Sequence, residues 1–251
     1  MQLELAILSR RGGRSYNEDA CGHWHSDEHL CCVVADGAGG HGGGDVASKL
    51  AVRHIIGRYA EQPLASGEAI RVLLAEVNRE VIAHRDDAVA QQHMHSTVVS
   101  LFIDLQHNRA AWGHCGDSRL YAFRGGRIAA RTRDHSLVQS LVDGGMLAPE
   151  RMRSHPQRSE LLSALGVAPS DLQIGVCADA WELAAGDVFL LCTDGVWEYV
   201  DDAPMEQALA DAQSPHAWLE ALERCVLAAA AGQPSHDNFS ALTVWVGAAS
   251  A

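Results

Sequence analysis

The chain has 251 residues, 47% of them hydrophobic, and a formal net charge of −13. That is length enough for one large domain or two small ones with a real core, and no run approaches the roughly 18 apolar residues of a membrane span. The basic residues are 18 Arg and the single Lys49, in no basic stripe, which argues against nucleic acid as a partner.

In chain order, LELAILS (3–9) reads as a strand, and LCCVVA (30–35) as a strand covered on both faces. Apolar residues at helical spacing predict amphipathic helices over 44–61 and 68–85. The segments 96–104, 109–115, 119–123 and 127–133 are short and β-rich, with turn residues between them, and predict an antiparallel meander. Residues 136–143 return to helix, and 148–160, APERMRSHPQRSE, read as a polar surface loop or flap. A buried strand follows at 187–193, then helices at 203–212 and 215–230 and a last strand at 238–246. With no linker or repeat, this order implies an α+β domain with layered sheets.

The opening MQLELAILSRRGG has no basic start before its apolar part, so no signal peptide is expected and a cytoplasmic location is. The seven Cys, at 21, 31, 32, 115, 177, 192 and 225, are odd in number and form no CxxC pair. They read as buried free thiols in a reducing compartment rather than a zinc site.

The chemistry gathers on carboxylates. Two Asp-Gly pairs, Asp36-Gly37 and Asp194-Gly195, each end a buried strand, and Asp237 stands just before the last strand. Asp117 sits in a turn between two of the β-rich segments, and Glu18-Asp19 lie near the start. Carboxylates at the ends of several strands can converge on one rim, where they repel one another unless cations intervene. An all-oxygen set favours hard ions, Mg²⁺ or Mn²⁺. The glycine-rich run after Asp36 leaves a tight backbone path and access for a bulky substrate. It lacks the Gly-Lys-Ser/Thr of a phosphate-cradling loop. Asp45 reads as the cap of the helix that follows. Ser118 reads as a structural hydrogen-bonding residue, Asp134 as a cap, His135 as a cap or a support for the sheet, and Trp197 as packing.

Eight motifs then stand in order: RSYNED (14–19), VVADGAGGH (33–41), ST (96–97), GDSR (116–119), TRDHS (132–136), LLSALG (161–166), TDGVWE (193–198) and HDN (236–238). Spanning about residues 10–246, they resemble the bacterial PPM (PP2C-like) metal-dependent protein serine/threonine phosphatases. The resemblance implies a four-layer αββα sandwich, two central antiparallel β-sheets flanked by pairs of helices, in a single catalytic domain over 1–251 with a flap at about 136–165. It implies two to three Mn²⁺ or Mg²⁺ ions. Asp36 would bridge two of them and the Gly37 carbonyl would bind one. Asp194 and Asp237 would hold the other, Asp117 with Asp194 a looser third. Glu18 and Asp19 would hold waters of the first ion or orient its neighbours, and Arg14 would grip the substrate phosphate.

The implied reaction is hydrolysis of phosphoserine and phosphothreonine in proteins by a water bridging two ions, without a covalent phospho-enzyme, reversing a Ser/Thr kinase. Partners would be a phosphorylated protein and that kinase, with no membrane insertion, and the enzyme a monomer. The chain departs from the family at Ala38, where many eukaryotic members carry a His, and at His95 and Ser163. His41 is expected to serve the helix start or loop packing. The segment 203–231 and WEYVDD resemble, more loosely, phosphatases of bacterial type VI secretion control. The competing readings are a catalytically silent domain of this family used for binding, and a nucleotide- or metal-binding module, which lacks any phosphate-loop fingerprint.

Overall fold

The computed structural model describes residues 1–38, 43–63, 66–85, 94–233 and 235–248. In chain order its elements begin with β1 (Gln2–Arg10), β2 (Ala20–His25), β3 (His29–Ala35), β4 (Gly37–Ala38), α1 (Gly44–Glu61) and α2 (Gly67–Ala83). There follow β5 (His95–Ser96), β6 (Val98–Asp104), β7 (Arg109–Cys115), β8 (Arg119–Arg124), β9 (Arg127–Arg131) and α3 (Leu137–Asp143). The remainder is β10 (Gly175–Val176), β11 (Trp181–Glu182), β12 (Val188–Cys192), α4 (Asp194–Trp197), α5 (Asp202–Asp211), α6 (Pro215–Ala230) and β13 (Phe239–Gly247).

The layers follow from the period of two in the central strands. On β3, Cys31, Val33 and Ala35 face one core, with Ile55 and Tyr59 of α1 and Ile70, Leu74 and Val77 of α2. The alternate residues Leu30, Cys32 and Val34 face a second core with Leu120, Phe189, Leu191, Leu242 and Val244. β12 repeats the pattern. Phe189 and Leu191 turn to that shared middle core, while Val188, Leu190 and Cys192 face a third core with Met205 of α5 and Trp218, Leu222 and Val226 of α6. Strands apolar on both faces thus lie between two helical layers, each burying side chains worth roughly 1.5–3 kcal/mol apiece. Ser66 and Ser214 cap α2 and α6, accepting from the backbone N–H groups of Ala69 and Ala217, and Pro215 starts α6 where a missing N–H costs nothing.

The sheets are antiparallel. The two large ones run β1-β13-β12-β8-β9 and β10-β7-β6-β3-β2 with β11 also on β7, and β4 pairs with β5 in a small third. β1 pairs with β13 along its whole length, from Gln2 opposite Gly247 to Arg10 opposite Phe239. The fold class expected from the sequence is the one observed. The meander is not: β6-β7 belongs to one sheet and β8-β9 to the other. The chain crosses between them at Gly116–Ser118, where Gly116 takes φ +97, a backbone region open to glycine and costly for other residues. Among the described residues, no helix is long and apolar enough to cross a membrane.

Candidate active site

The crossing between sheets and the ends of β3, β12 and the loop before β13 open on one side of the sandwich. A pocket of about 350 Å³ there is lined by Arg14, Glu18, Asp36, Gly37, Asp117, Asp194 and Asp237, together with Thr97, Ser159, Leu161 and Asn238. Seven predicted site residues therefore meet in one cavity, and Asp19 joins them from below, 6% exposed.

Asp36 is held through its main chain, which leaves its carboxylate for the pocket. Asp36 donates its N–H to Thr97 Oγ1 at 3.1 Å, and its carbonyl accepts from the Thr97 N–H at 2.8 Å and from Ser96 Oγ at 3.0 Å. Thr97 Oγ1 also meets Ser118 Oγ at 2.7 Å, tying the Asp36 strand end to the Asp117 turn. That is the structural role expected of Ser118. Gly37 must be glycine because a Cβ there would stand 2.1 Å from the Gly44 carbonyl oxygen. Gly195 is equally constrained, since its Cβ would lie 2.0 Å from the Asn238 carbonyl oxygen. The two Asp-Gly pairs are thus places where backbones pack without side chains between them.

Asn238 ties the N-terminal loop to this end of the molecule. Its Nδ2 donates to the carbonyls of Arg11 at 2.7 Å and Tyr16 at 3.0 Å, and its Oδ1 accepts from the Glu18 N–H at 2.8 Å. Thr193 does the same for Asp19, donating from Oγ1 to Asp19 Oδ2 at 3.1 Å. Sequence reasoning gave neither residue a role. Both lie inside quoted motifs, beside an aspartate, which was the available signal. Arg14 donates from Nη2 to Asp237 Oδ2 at 2.6 Å, so the expected phosphate-gripping group sits on one of the expected ion ligands.

Two expectations are corrected, and a third is narrowed to one of its alternatives. Asp45 caps nothing: α1 begins after Gly43 without a side-chain cap, and Asp45 pairs with Lys49 at 2.8 Å one turn on. Asp134 is no cap either, because Ser136 caps α3 while Asp134 forms a buried two-bond ion pair with Arg119 at 2.6 and 2.8 Å. His135 supports rather than caps, its Nδ1 accepting from the Gly116 N–H at 3.1 Å while its ring stacks on His114. Trp197 packs as expected under the Arg119 guanidinium. His41 lies outside the described residues. All seven Cys are free, and burial pushes the Cys21 and Cys115 thiols up to about 12, so they take no part as thiolates near neutrality.

The electrostatics of the pocket are those of crowded acids. Burial, then Asp194, Asp19, Asp117 and Asp237, hold the Asp36 carboxyl well above the usual range. Burial, then Asp117, Glu198 and Asp237, do the same to Asp194. Burial raises Asp19 and Asp117 to about 7 each, with Asp237 adding to the first and Asp134 to the second. Glu18 is raised by burial and by Asp45, against the pull of Arg14. Glu18 Oε1, Asp19 Oδ1 and Asp194 Oδ1 are buried without a hydrogen-bond donor, each an acceptor whose desolvation costs about 1–3 kcal/mol if nothing meets it. Among the described residues, no three His, Cys, Asp or Glu side chains close round one point as a finished ion cage. The orphaned oxygens, the mutual repulsion and the all-oxygen donor set nevertheless fit hard divalent cations.

The comparisons agree with this geometry. The protein phosphatase 2C family model matches residues 9–233. The serine/threonine phosphatase stp of Listeria innocua is 33% identical over 202 residues, 78% of each chain. The catalytic domain of the serine threonine protein phosphatase PstP, solved in complex with 2 manganese ions, superposes with a TM-score of 0.79 at 28% identity, over 98% of this chain and 99% of that one. PppA, described as a key regulatory component of T6SS in Pseudomonas aeruginosa, superposes at 0.74 with 32% identity over 98% of both chains. A layered antiparallel sandwich with an acidic pocket at one end is thus the frame of a protein serine/threonine phosphatase. The chain belongs to the protein phosphatase 2C family.

Proposed function

We propose that this chain hydrolyses phosphoserine and phosphothreonine in proteins with the help of two to three Mn²⁺ or Mg²⁺ ions. Asp36, the Gly37 carbonyl, Asp194 and Asp237 would hold the ions, with Glu18, Asp19 and Asp117 completing the set. The observation that carries the reading is a set of buried acids raising one another's pKa around three orphaned oxygens, with Arg14 the one Lys or Arg among the described residues lining the pocket. When bound, the ions supply the positive charge that admits a phosphate and the acidity that makes water a nucleophile near neutral pH. The protein's own share is positioning. Thr97 and Ser96 fix the Asp36 main chain, Asn238 fixes the Glu18 loop, and Arg14 turns from Asp237 to the phosphate oxygens when substrate arrives. The buried thiols supply no nucleophile. The test is p-nitrophenyl phosphate turnover with Mn²⁺, with Mg²⁺ and with EDTA, alongside Mn²⁺ binding by calorimetry. Activity retained in EDTA sinks the ion mechanism, and Mn²⁺ binding without turnover favours the silent domain.

The likeness to PppA supports a narrower reading, a part in type VI secretion control; with it we propose a cytoplasmic monomer opposing a Ser/Thr kinase. Deleting the gene should raise phosphorylation of the secretion regulator in a strain that has both kinase and secretion system. No rise removes that assignment and leaves the hydrolytic one standing.

A further inference from the structure

A larger cavity adjoins the acidic pocket, and no part of the reaction above uses it. It has a volume of about 750 Å³, against about 350 Å³ for the acidic pocket. It lies between the edge strands of the two sheets, β9 and β10, with α3 beside it. The two cavities share no lining residue, but neighbouring residues link them at two places. Leu161 lines the acidic pocket and its neighbour Leu162 lines the larger cavity. Leu162 donates its N–H to the His135 carbonyl at 2.8 Å and is 44% exposed, so it forms the crest between them. Behind that crest, His135 lines the larger cavity while bonded to Gly116, the neighbour of Asp117 in the acidic pocket.

The chemistry of the larger cavity is nearly neutral. Of the charged residues on its walls, Arg131 pairs with Asp202 at 3.2 Å, Arg133 with Asp143 at 2.9 Å and Asp134 with Arg119 at 2.6 Å. Asp179 is exposed to water. Among the described residues of its walls no Arg, Asp or Glu is both buried and unpaired; the buried polar atom without a partner there is Nδ1 of His114, an imidazole that burial shifts toward its neutral form. The remaining walls include the Trp112 and Trp181 rings, 6.1 Å apart, with Val176 and Leu162. Such walls suit a large, flat, uncharged guest.

Resting on the phosphatase reading above, we propose that this cavity is a specificity subsite that seats an aromatic side chain of the phosphoprotein substrate, while the phosphoresidue occupies the acidic pocket. Crossing the Leu161–Leu162 crest takes a short span. An extended chain advances about 3.3 Å per residue, which puts the aromatic side chain roughly two or three positions from the phosphoresidue. A residue that anchors the peptide without touching the phosphorus binds ground state and transition state alike, so its effect falls on KM.

The experiment uses phosphothreonine peptides carrying Trp, Tyr, Leu, Arg or Ala two or three positions before or after the phosphothreonine, assayed on the unaltered enzyme with Mn²⁺. At one position Trp and Tyr should exceed Ala by about tenfold or more in kcat/KM, through KM. Filling the cavity from its wall with Ala178→Trp should bring that ratio close to one, with p-nitrophenyl phosphate turnover counting the active sites in each preparation. Equal kcat/KM across the series overturns the subsite, and so does a gain from Arg equal to that from Trp. A preference undiminished in a folded, active A178W protein overturns it as well. If A178W does not fold, the peptide series on the unaltered enzyme decides alone. Failure to hydrolyse any phosphopeptide with any divalent ion removes the phosphatase reading and this subsite with it.

Discussion

Asp194, proposed as an ion ligand, shows how such a side chain burdens the fold. Its carboxyl is raised by burial and by three or more neighbouring acids, so the ionised form is resisted while no cation is present. Asp194→Asn removes one charge from that crowd. We expect p-nitrophenyl phosphate turnover at saturating Mn²⁺ to fall at least about a hundredfold, beyond the loss from a typical single contact, while the melting temperature in EDTA stays level or rises. Turnover above a few per cent would refute the role assigned to Asp194. The same crowding sets a pH dependence. Burial raises Asp19 and Asp117 to about 7 in the folded chain, against 3.8 for an ordinary aspartate, and holds Asp36 and Asp194 well above that ordinary value. A carboxyl raised by folding stabilises the protein at low pH and loses that contribution as pH rises through the folded value. His114 and His135 are depressed by burial and act oppositely, but only below their unfolded value of 6.5. Between pH 6.5 and 8 the acids act unopposed, so the melting temperature in EDTA should fall across that window. A level or rising curve would contradict the crowding.

At the scale of elements, the Gly195 contact decides how α4 meets β13. A Cβ at Gly195 would stand 2.0 Å from the Asn238 carbonyl oxygen, and backbone cannot swing aside as a side chain can. Gly195→Ala should therefore destabilise by about 1–3 kcal/mol, the usual cost of overpacking. It should also cut activity, because Asp194 and Asp237 flank the contact. Urea melts and turnover measure both, and unchanged values would mean that the two backbones are looser than they stand. Elements also show what the sequence could reveal. Long strands and helices were legible because their own side chains carry the period, as β3, β12, α2 and α6 do. β2 was not, since ACGHWH alternates half-buried and exposed residues at a sheet edge, where Gly22 makes room for Val52 and Ile56. β10 and β11 are two residues each and exist only through their pairing with β7. The site was legible residue by residue through its motifs. What it did not reveal was partnership, as when Asp134 left the cap it could have formed for Arg119, fifteen residues away in sequence but adjacent in the fold.

For the whole molecule, ion binding and folding are one equilibrium. The acids are brought together only in the folded chain, so cations that prefer that state stabilise it by mass action. At a free Mn²⁺ concentration of about 100 Kd the gain is about 2.7 kcal/mol per site, which for a chain of this size raises the melting temperature by roughly 5–11 °C. A melting series against Mn²⁺ should climb accordingly and lose most of its climb in D36N. An equal climb in that variant would place the binding elsewhere on this acidic surface.

The ladder between β1 and β13 has a consequence for the life of a new molecule. Among the described residues β1 is an edge strand paired with β13, so residues 2–10, once made, wait for residues 239–247 before they can pair. At roughly 5–20 residues per second that wait is on the order of 10–50 s. Asp237 emerges in the same final stretch, immediately ahead of β13. A half-made chain therefore has neither its closing strand nor its full set of acids. Chains truncated ahead of Asp237 and β13 should show no phosphatase activity.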